Sequence, residues 1–174
     1  MTLPEDPGRT YRGHLVTVRA ETLALPDGAS AEFDVVRHPG GAVVAAVDER
    51  GRVCLIRQYR AVLGEWLWEL PAGKRDHGED PEHTARRELE EEAGVRAGRW
   101  HKLATLVTAP GFCDELLHLY LARDLTPVPR RPEGHEHIQV HWLDGAEALA
   151  MVADGRIHDA KTVATLHHWH AGGA

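Results

Sequence analysis

Between Gly73 and Val95 the chain sets a glycine, a lone acid at Glu79 and the run Arg87-Glu88-Leu89-Glu90-Glu91-Glu92-Ala93-Gly94-Val95. Carboxylates without cysteine are the ligand set of Mg²⁺ or Mn²⁺, and Mg²⁺ characteristically joins one or two protein carboxylates to phosphate oxygens of a substrate. The chemistry this spacing supports is therefore work on a diphosphate through a divalent cation.

The acids need a helix to converge. Asp80-Pro81 supplies an N-cap acid followed by proline at the first helical position, and Gly94 supplies the left-handed residue that ends a helix, so the spacing predicts a helix over Pro81–Ala93. At about 100° per residue, Glu88, Glu91 and Glu92 share one arc, and Ala85, Leu89 and Ala93 form an adjacent apolar arc. Glu90 and Arg86 point to water. Like charges three and four residues apart oppose helix formation by roughly 0.2–0.5 kcal/mol per pair, a conflict that bound cations resolve. Arg87 precedes Glu91 by one turn and is placed to orient that acid.

An acidic run by itself is usually a solvated helix face. Here seven specified residues stand together as G-x5-E-x7-R-E-U-x-E-E-x-G-U, with Leu89 and Val95 at the apolar positions, and this box resembles that of the Nudix hydrolase family without departure. The resemblance implies an α/β fold, a Nudix-type α/β/α sandwich with a mixed sheet, that hydrolyses a nucleoside diphosphate linked to another group. It further implies Glu88 and Glu92 as principal metal ligands, Glu91 as a further ligand or supporting acid, and Arg87 as the orienting arginine. Gly73, Glu79 and Gly94 shape the loop, and the backbone carbonyl of Ala72 is a candidate ligand.

Around the box, short apolar runs alternate with turn signals. His14–Val18 and Ala31–Val36 read as a hairpin joined through Pro26-Asp27-Gly28. Gly41–Val47 reads as a buried strand, Asp48–Gly51 as a turn and Arg52–Arg60 as its partner strand. Trp66–Leu70 leads through Pro71 into the box. Strands are expected near Lys102–Thr108, Leu116–Ala122 and Ile138–Leu143, a loop at Thr126–Pro132, and helices at Ala146–Ala153 and Asp159–His170. The division expected is a small N-terminal antiparallel β segment over 1–39, which dimerises by resemblance, and a catalytic domain over 40–174.

Composition fits one folded domain with a small appendage: 174 residues, 43% apolar and 27% charged. No apolar run reaches the ~18–20 residues of a membrane span, and the acidic start lacks the basic and apolar regions of a signal peptide, so a cytoplasmic enzyme with no membrane partner is expected. Two cysteines, Cys54 and Cys113, make no disulfide framework. A net charge of −7 argues against a nucleic-acid partner.

Substrate choice lies outside the box. Pro110, sixteen residues after Gly94, and the string Pro110-Gly111-Phe112-Cys113-Asp114-Glu115 resemble the ADP-ribose pyrophosphatase branch. So do Leu70-Pro71-Ala72-Gly73, Arg57-Gln58-Tyr59-Arg60 and a leading strand segment that exchanges between two subunits of a homodimer. The branch commonly has serine where Ala109 stands, and a more acidic loop than Pro132–His137. The implied reaction yields AMP and ribose 5-phosphate from ADP-ribose with Mg²⁺ or Mn²⁺. Pro110, Gly111 and Glu115 are candidate substrate contacts, and a glutamate accepts the proton of the attacking water. Glu136 is the first candidate for that base, with Glu133 and Glu91 as alternatives. Arg57 and Arg60 are candidates to face the pyrophosphate, since a planar guanidinium suits paired phosphate oxygens, although strand-end arginines are commonly surface charges.

Four competing readings remain. His135, His137 and His141, or His167, His168 and His170, suggest zinc, but spacing alone does not supply convergent geometry. Trp66 and Trp68 share a strand face and suit either stacking on a base or packing. A Nudix enzyme for GDP-mannose or NADH is the alternative catalytic reading. A sensor that only binds ADP-ribose is the non-catalytic one, and it has less reason to retain every acid of the box.

Overall fold

The computed structural model describes residues 10–76, 78–131 and 137–172. They form two compact units, one made of the residues up to Gly40 with Val107–Leu116, the other of Gly41–Leu106 with the residues from Leu117 onward.

In the first unit β1 (Thr10–Arg12), β2 (Thr17–Ala24) and β3 (Ser30–Arg37) form an antiparallel sheet in that order. Its tight turn closes with the Leu25 amide donating to Ala29 O at 2.8 Å, and Gly28 adopts φ 86°. The first strand is displaced from the expected His14–Val18. Gly13 N–H bonds Val16 O at 2.9 Å in a turn, and pairing then runs from Thr17↔Arg37 to Ala24↔Ser30. Charge selects that register: Glu21 accepts from Arg19 and Arg37, and the two guanidinium groups hold its carboxyl down at about 2 against the opposing effect of burial, Arg37 contributing most. Apolar alternation carries no trace of such a pairing. The Val107–Leu116 segment joins this unit through Val36 N–H to Phe112 O (2.7 Å) and Asp114 N–H to Val36 O (3.2 Å).

The second unit has two sheets. β7 (Ala72–Lys74), β4 (Gly41–Ala46), β9 (Leu116–Pro127) and β8 (Val95–Val107) lie in that order, with β4 parallel to β9 and antiparallel to β7. β10 (Ile138–Asp144), β5 (Arg52–Arg60) and β6 (Glu65–Glu69) make an antiparallel sheet. The expected pairing of β4 with β5 is therefore wrong: they belong to different sheets, and backbone pairing between the two segments is confined to the bridge Val47↔Val53. A strand buried along its whole length, as β4 is, takes neighbours on both edges, and those come from distant sequence. β8 also starts earlier than expected, and β9 runs into the segment read as a loop.

Alternate β4 residues serve two cores. Val43, Ala45 and Val47 pack with Val53, Leu55, Leu119 and Leu121 against α2 (Gly145–Ala153) and α3 (Ala160–Ala171). Ala42, Val44 and Ala46 pack with Cys54 and Tyr120 against Ala85, Leu89 and Ala93 of the box helix. Helices thus cover both faces, giving the α/β/α sandwich with a mixed sheet. Among the described residues no helix is long and apolar enough to cross a membrane.

Candidate active site

The box helix starts as its sequence dictates. Asp80 Oδ1 accepts from the Glu82 amide at 2.9 Å, Pro81 occupies the first turn, and α1 runs Pro81–Glu88. The continuation differs from the single α-helix expected: Leu89–Ala93 winds as a wider π turn before Gly94 closes it at φ 69°, ψ 38°. Such turns give up regular i→i+4 pairing and recur at functional sites. Here carbonyls of the turn take outside donors, Glu91 O from the Arg131 amide (3.1 Å) and Glu92 O from Arg130 Nε (2.7 Å). Gly94 also receives that segment closely, since a Cβ there would lie 2.9 Å from Val128 O and 2.5 Å from Arg130 Cγ. Gly94→Ala should therefore destabilise the fold by about 2–3 kcal/mol, combining left-handed strain with the clash, and urea unfolding at constant m would show it.

Each box acid has a defined seat. Glu92, 1% exposed, accepts from the Ala72 amide at 2.8 Å. Glu88, also buried, lies over Gly73 so closely that a Cβ on that glycine would stand 1.8 Å from its Oε1. The two carboxylates thus converge on consecutive backbone residues of β7. Arg87 does more than orient Glu91: it reaches Glu88 (2.7 Å), Glu91 (3.2 Å), both oxygens of Glu79 (3.3 and 3.2 Å) and Lys74 O (3.1 Å). Burial lowers the basicity of Arg87, yet the surrounding acids, led by Glu79, outweigh it and raise its pKa.

Glu79 is correspondingly acidic. Burial opposes its charge, but bonds from Arg87, the Asp76 amide, Thr84 and His83 bring its pKa down to about 2. A depressed carboxyl contributes stability that is complete above its unfolded value of 4.5 and is lost as pH falls through about 2. Glu79→Gln should cost about 2 kcal/mol at pH 7. The gap from the parent protein should shrink steadily between pH 4.5 and 2, as urea titrations across that range would reveal. A gap of equal size at pH 2.5 and pH 7 would contradict this.

The donor set suits a hard divalent cation: glutamate oxygens beside a backbone turn, with no cysteine between Gly73 and Val95. As they stand, Glu88 and Glu91 are bound by Arg87, and Glu92 by the Ala72 amide. Among the described residues no group of three or more Asp, Glu, His or Cys side chains is arranged to hold a metal ion. Glu88 and Glu92 are nevertheless the pair that could share an ion with backbone at Ala72–Gly73.

Other candidate residues fall as follows. Arg60 gives Nε and Nη2 to Glu69 (2.7 and 2.6 Å), and Arg57 lies 5.9 Å from the ring centres of both Trp66 and Trp68. Trp68 packs edge-on to His141, and Trp66 packs against Tyr59. In the first unit, Pro110 and Gly111 lie in a turn closed by Phe112 and Cys113 amides on Ala109 O. Glu115 there accepts from Thr108 Oγ1 at 2.9 Å, with His38 Nδ1 at 3.3 Å. Glu136, Glu133 and His135 lie outside the described residues.

Sequence reasoning missed the buried support of β7. Glu69, 1% exposed, pairs with Arg60 and Lys161, and Lys161 reaches Asp159 at 2.9 Å. Asp159 accepts from Thr162 Oγ1 at 2.6 Å, which in turn accepts from the Leu70 amide at 2.9 Å. The network ties the start of α3 to the residues that run into Ala72. Its one sequence signal is an acid, Glu69, at an inward strand position two after Leu67.

A family model described as NUDIX domain matches residues 36–166. The chain is 35% identical to an ADP-ribose pyrophosphatase of Bacillus subtilis, over 91% of this chain and 86% of that one. It is 38% identical to an ADP-ribose pyrophosphatase of Mycobacterium tuberculosis, over 92% and 79%. A crystal structure of an ADP compounds hydrolase superposes with a TM-score of 0.81 at 24% identity, covering 100% of this chain and 95% of that one, and shares its fold. With the box glutamates seated on β7 and the family match running from β4 through α2 and into α3, the chain belongs to the NUDIX family.

Proposed function

We propose that this protein hydrolyses the pyrophosphate bond of ADP-ribose to AMP and ribose 5-phosphate with a divalent cation, Mg²⁺ or Mn²⁺. The carrying observation is the buried pair Glu88 and Glu92 converging on Ala72–Gly73. The likeness to two ADP-ribose pyrophosphatases supports the choice of substrate. Glu88, Glu92 and the Ala72 carbonyl hold the cation, with Glu91 beside them. When bound, the cation neutralises phosphate oxygens and lowers the pKa of coordinated water.

The remaining work falls to the chain. Arg87 keeps Glu88, Glu91 and Glu79 in place. Glu136 accepts the proton of the attacking water, with Glu91 and Glu133 as alternatives, while the water oxygen bonds to phosphorus and the P–O–P bridge breaks. Arg60 and Arg57 steady the pyrophosphate. A homodimer acting in the cytoplasm, without nucleic acid, completes the reading.

The test is product identification with ADP-ribose, GDP-mannose and NADH in separate incubations, each with Mg²⁺, Mn²⁺ or EDTA. AMP and ribose 5-phosphate from ADP-ribose, faster than any product of the others and absent in EDTA, is the expected result. Preference for GDP-mannose or NADH overturns the substrate, and binding of ADP-ribose without cleavage leaves a sensor.

A further inference from the structure

Among the described residues two buried side-chain atoms lack a hydrogen-bond partner, Gln58 Oε1 and His141 Nε2. They face opposite sides of their sheet. His141 stands across from Leu55 and packs on Trp68 at 4.7 Å, a ring contact that accounts for its position. Gln58 has no such account. It is 5% exposed, and its cross-strand neighbours are Ile138 and Leu67, neither of which has a side-chain donor.

Strand alternation puts Gln58 on one face with Cys54 and Arg60. Cys54 packs in one core with Leu89 and Ala93, which flank Glu92 in the box helix, and Arg60 binds the buried Glu69. Gln58 lies between them along β5, on the face that meets the box helix at Cys54. An amide oxygen can only accept, and burying it unpaired costs free energy that native chains rarely leave unrecovered. Mg²⁺ and Mn²⁺ keep several waters when bound by few carboxylates, and those waters are strong donors.

We infer that Gln58 is a positioning residue whose side-chain carbonyl accepts a hydrogen bond from the hydration shell of the cation at Glu88 and Glu92. The inference rests on the metal reading above. Its role is to fix the orientation of the hydrated ion, so it acts on metal affinity before any nucleotide is present. A hydroxyl of the substrate could supply the same donor chemistry, and titration without nucleotide separates the two sources.

The experiment titrates the full-length protein with Mn²⁺ in the absence of nucleotide, following free Mn²⁺ by electron paramagnetic resonance. Parent, Gln58→Met, Gln58→Glu and Glu92→Gln proteins are compared, with thermal unfolding in EDTA alongside. Gln58→Met should weaken Mn²⁺ binding about tenfold. Its Tm in EDTA should stay level or rise, because the substitution removes an unpaired polar group. Gln58→Glu, which keeps an acceptor oxygen, should restore binding to at least the parent level. Parent-like affinity in Gln58→Met, with Glu92→Gln weakened, overturns the inference and leaves the metal reading intact. Equal affinity in the parent and Glu92→Gln overturns both.

Discussion

The Glu92→Gln variant should hydrolyse ADP-ribose about a thousandfold more slowly than the parent protein while unfolding at nearly the same urea concentration. The two halves of this expectation have separate physical origins. Glu92 is buried, and its Oε2 accepts the Ala72 amide at 2.8 Å. An amide oxygen can take the same bond, so the backbone of β7 stays anchored, whereas the negative charge that attracts a cation is gone. Glu92→Ala serves as the contrast. It orphans the Ala72 amide and leaves a cavity where the buried side chain stood, which should add about 1–3 kcal/mol of destabilisation to the same catalytic loss. Steady-state rates at saturating Mg²⁺ and urea midpoints for both variants would decide. A glutamine variant retaining a tenth of parent activity would remove Glu92 from the metal set.

Much of this site was legible because its signals are local. Asp80, Pro81 and Gly94 bound the box helix through contacts within a turn of themselves, and the arc of Glu88, Glu91 and Glu92 follows from helical periodicity. The glutamates also carried a resemblance specific enough to imply the sandwich and its mixed sheet. What escaped was set by residues far apart in the chain. β4 pairs with β9 and β7 because each edge of a buried strand must find a partner, and nothing in Gly41–Val47 says that Arg52–Arg60 belongs to another sheet. The π turn depends on Arg130 and Arg131 reaching carbonyls of Glu92 and Glu91, some forty residues away. The first strand slipped because Glu21, Arg19 and Arg37 fix its register by charge. Helical spacing pairs Arg87 with Glu91 alone, since its contact with Glu79 spans a loop whose course no periodicity describes.

Gly73→Ala is expected to lower kcat/KM about a hundredfold and to raise the Mg²⁺ concentration for half-maximal rate about tenfold or more, with less than about 1.5 kcal/mol lost in stability. The added Cβ would fall 1.8 Å from Glu88 Oε1, 2.1 Å from its Cδ and 2.7 Å from its Cγ, and no backbone atom stands among these nearest neighbours. Relief therefore comes from swinging the Glu88 side chain, a motion the fold tolerates and a metal ligand does not. Arg87 gives that displacement a destination, because it already binds Glu88 at 2.7 Å and Glu91 at 3.2 Å, so the evicted carboxylate stays ion-paired away from β7. The same geometry predicts strong coupling between the two positions. Once Glu88 is evicted its charge no longer serves the cation, so Gly73→Ala combined with Glu88→Gln should be scarcely slower than Glu88→Gln alone. Additive losses in that double variant would mean that Gly73 is required for the path of its backbone and not for the space it leaves to Glu88.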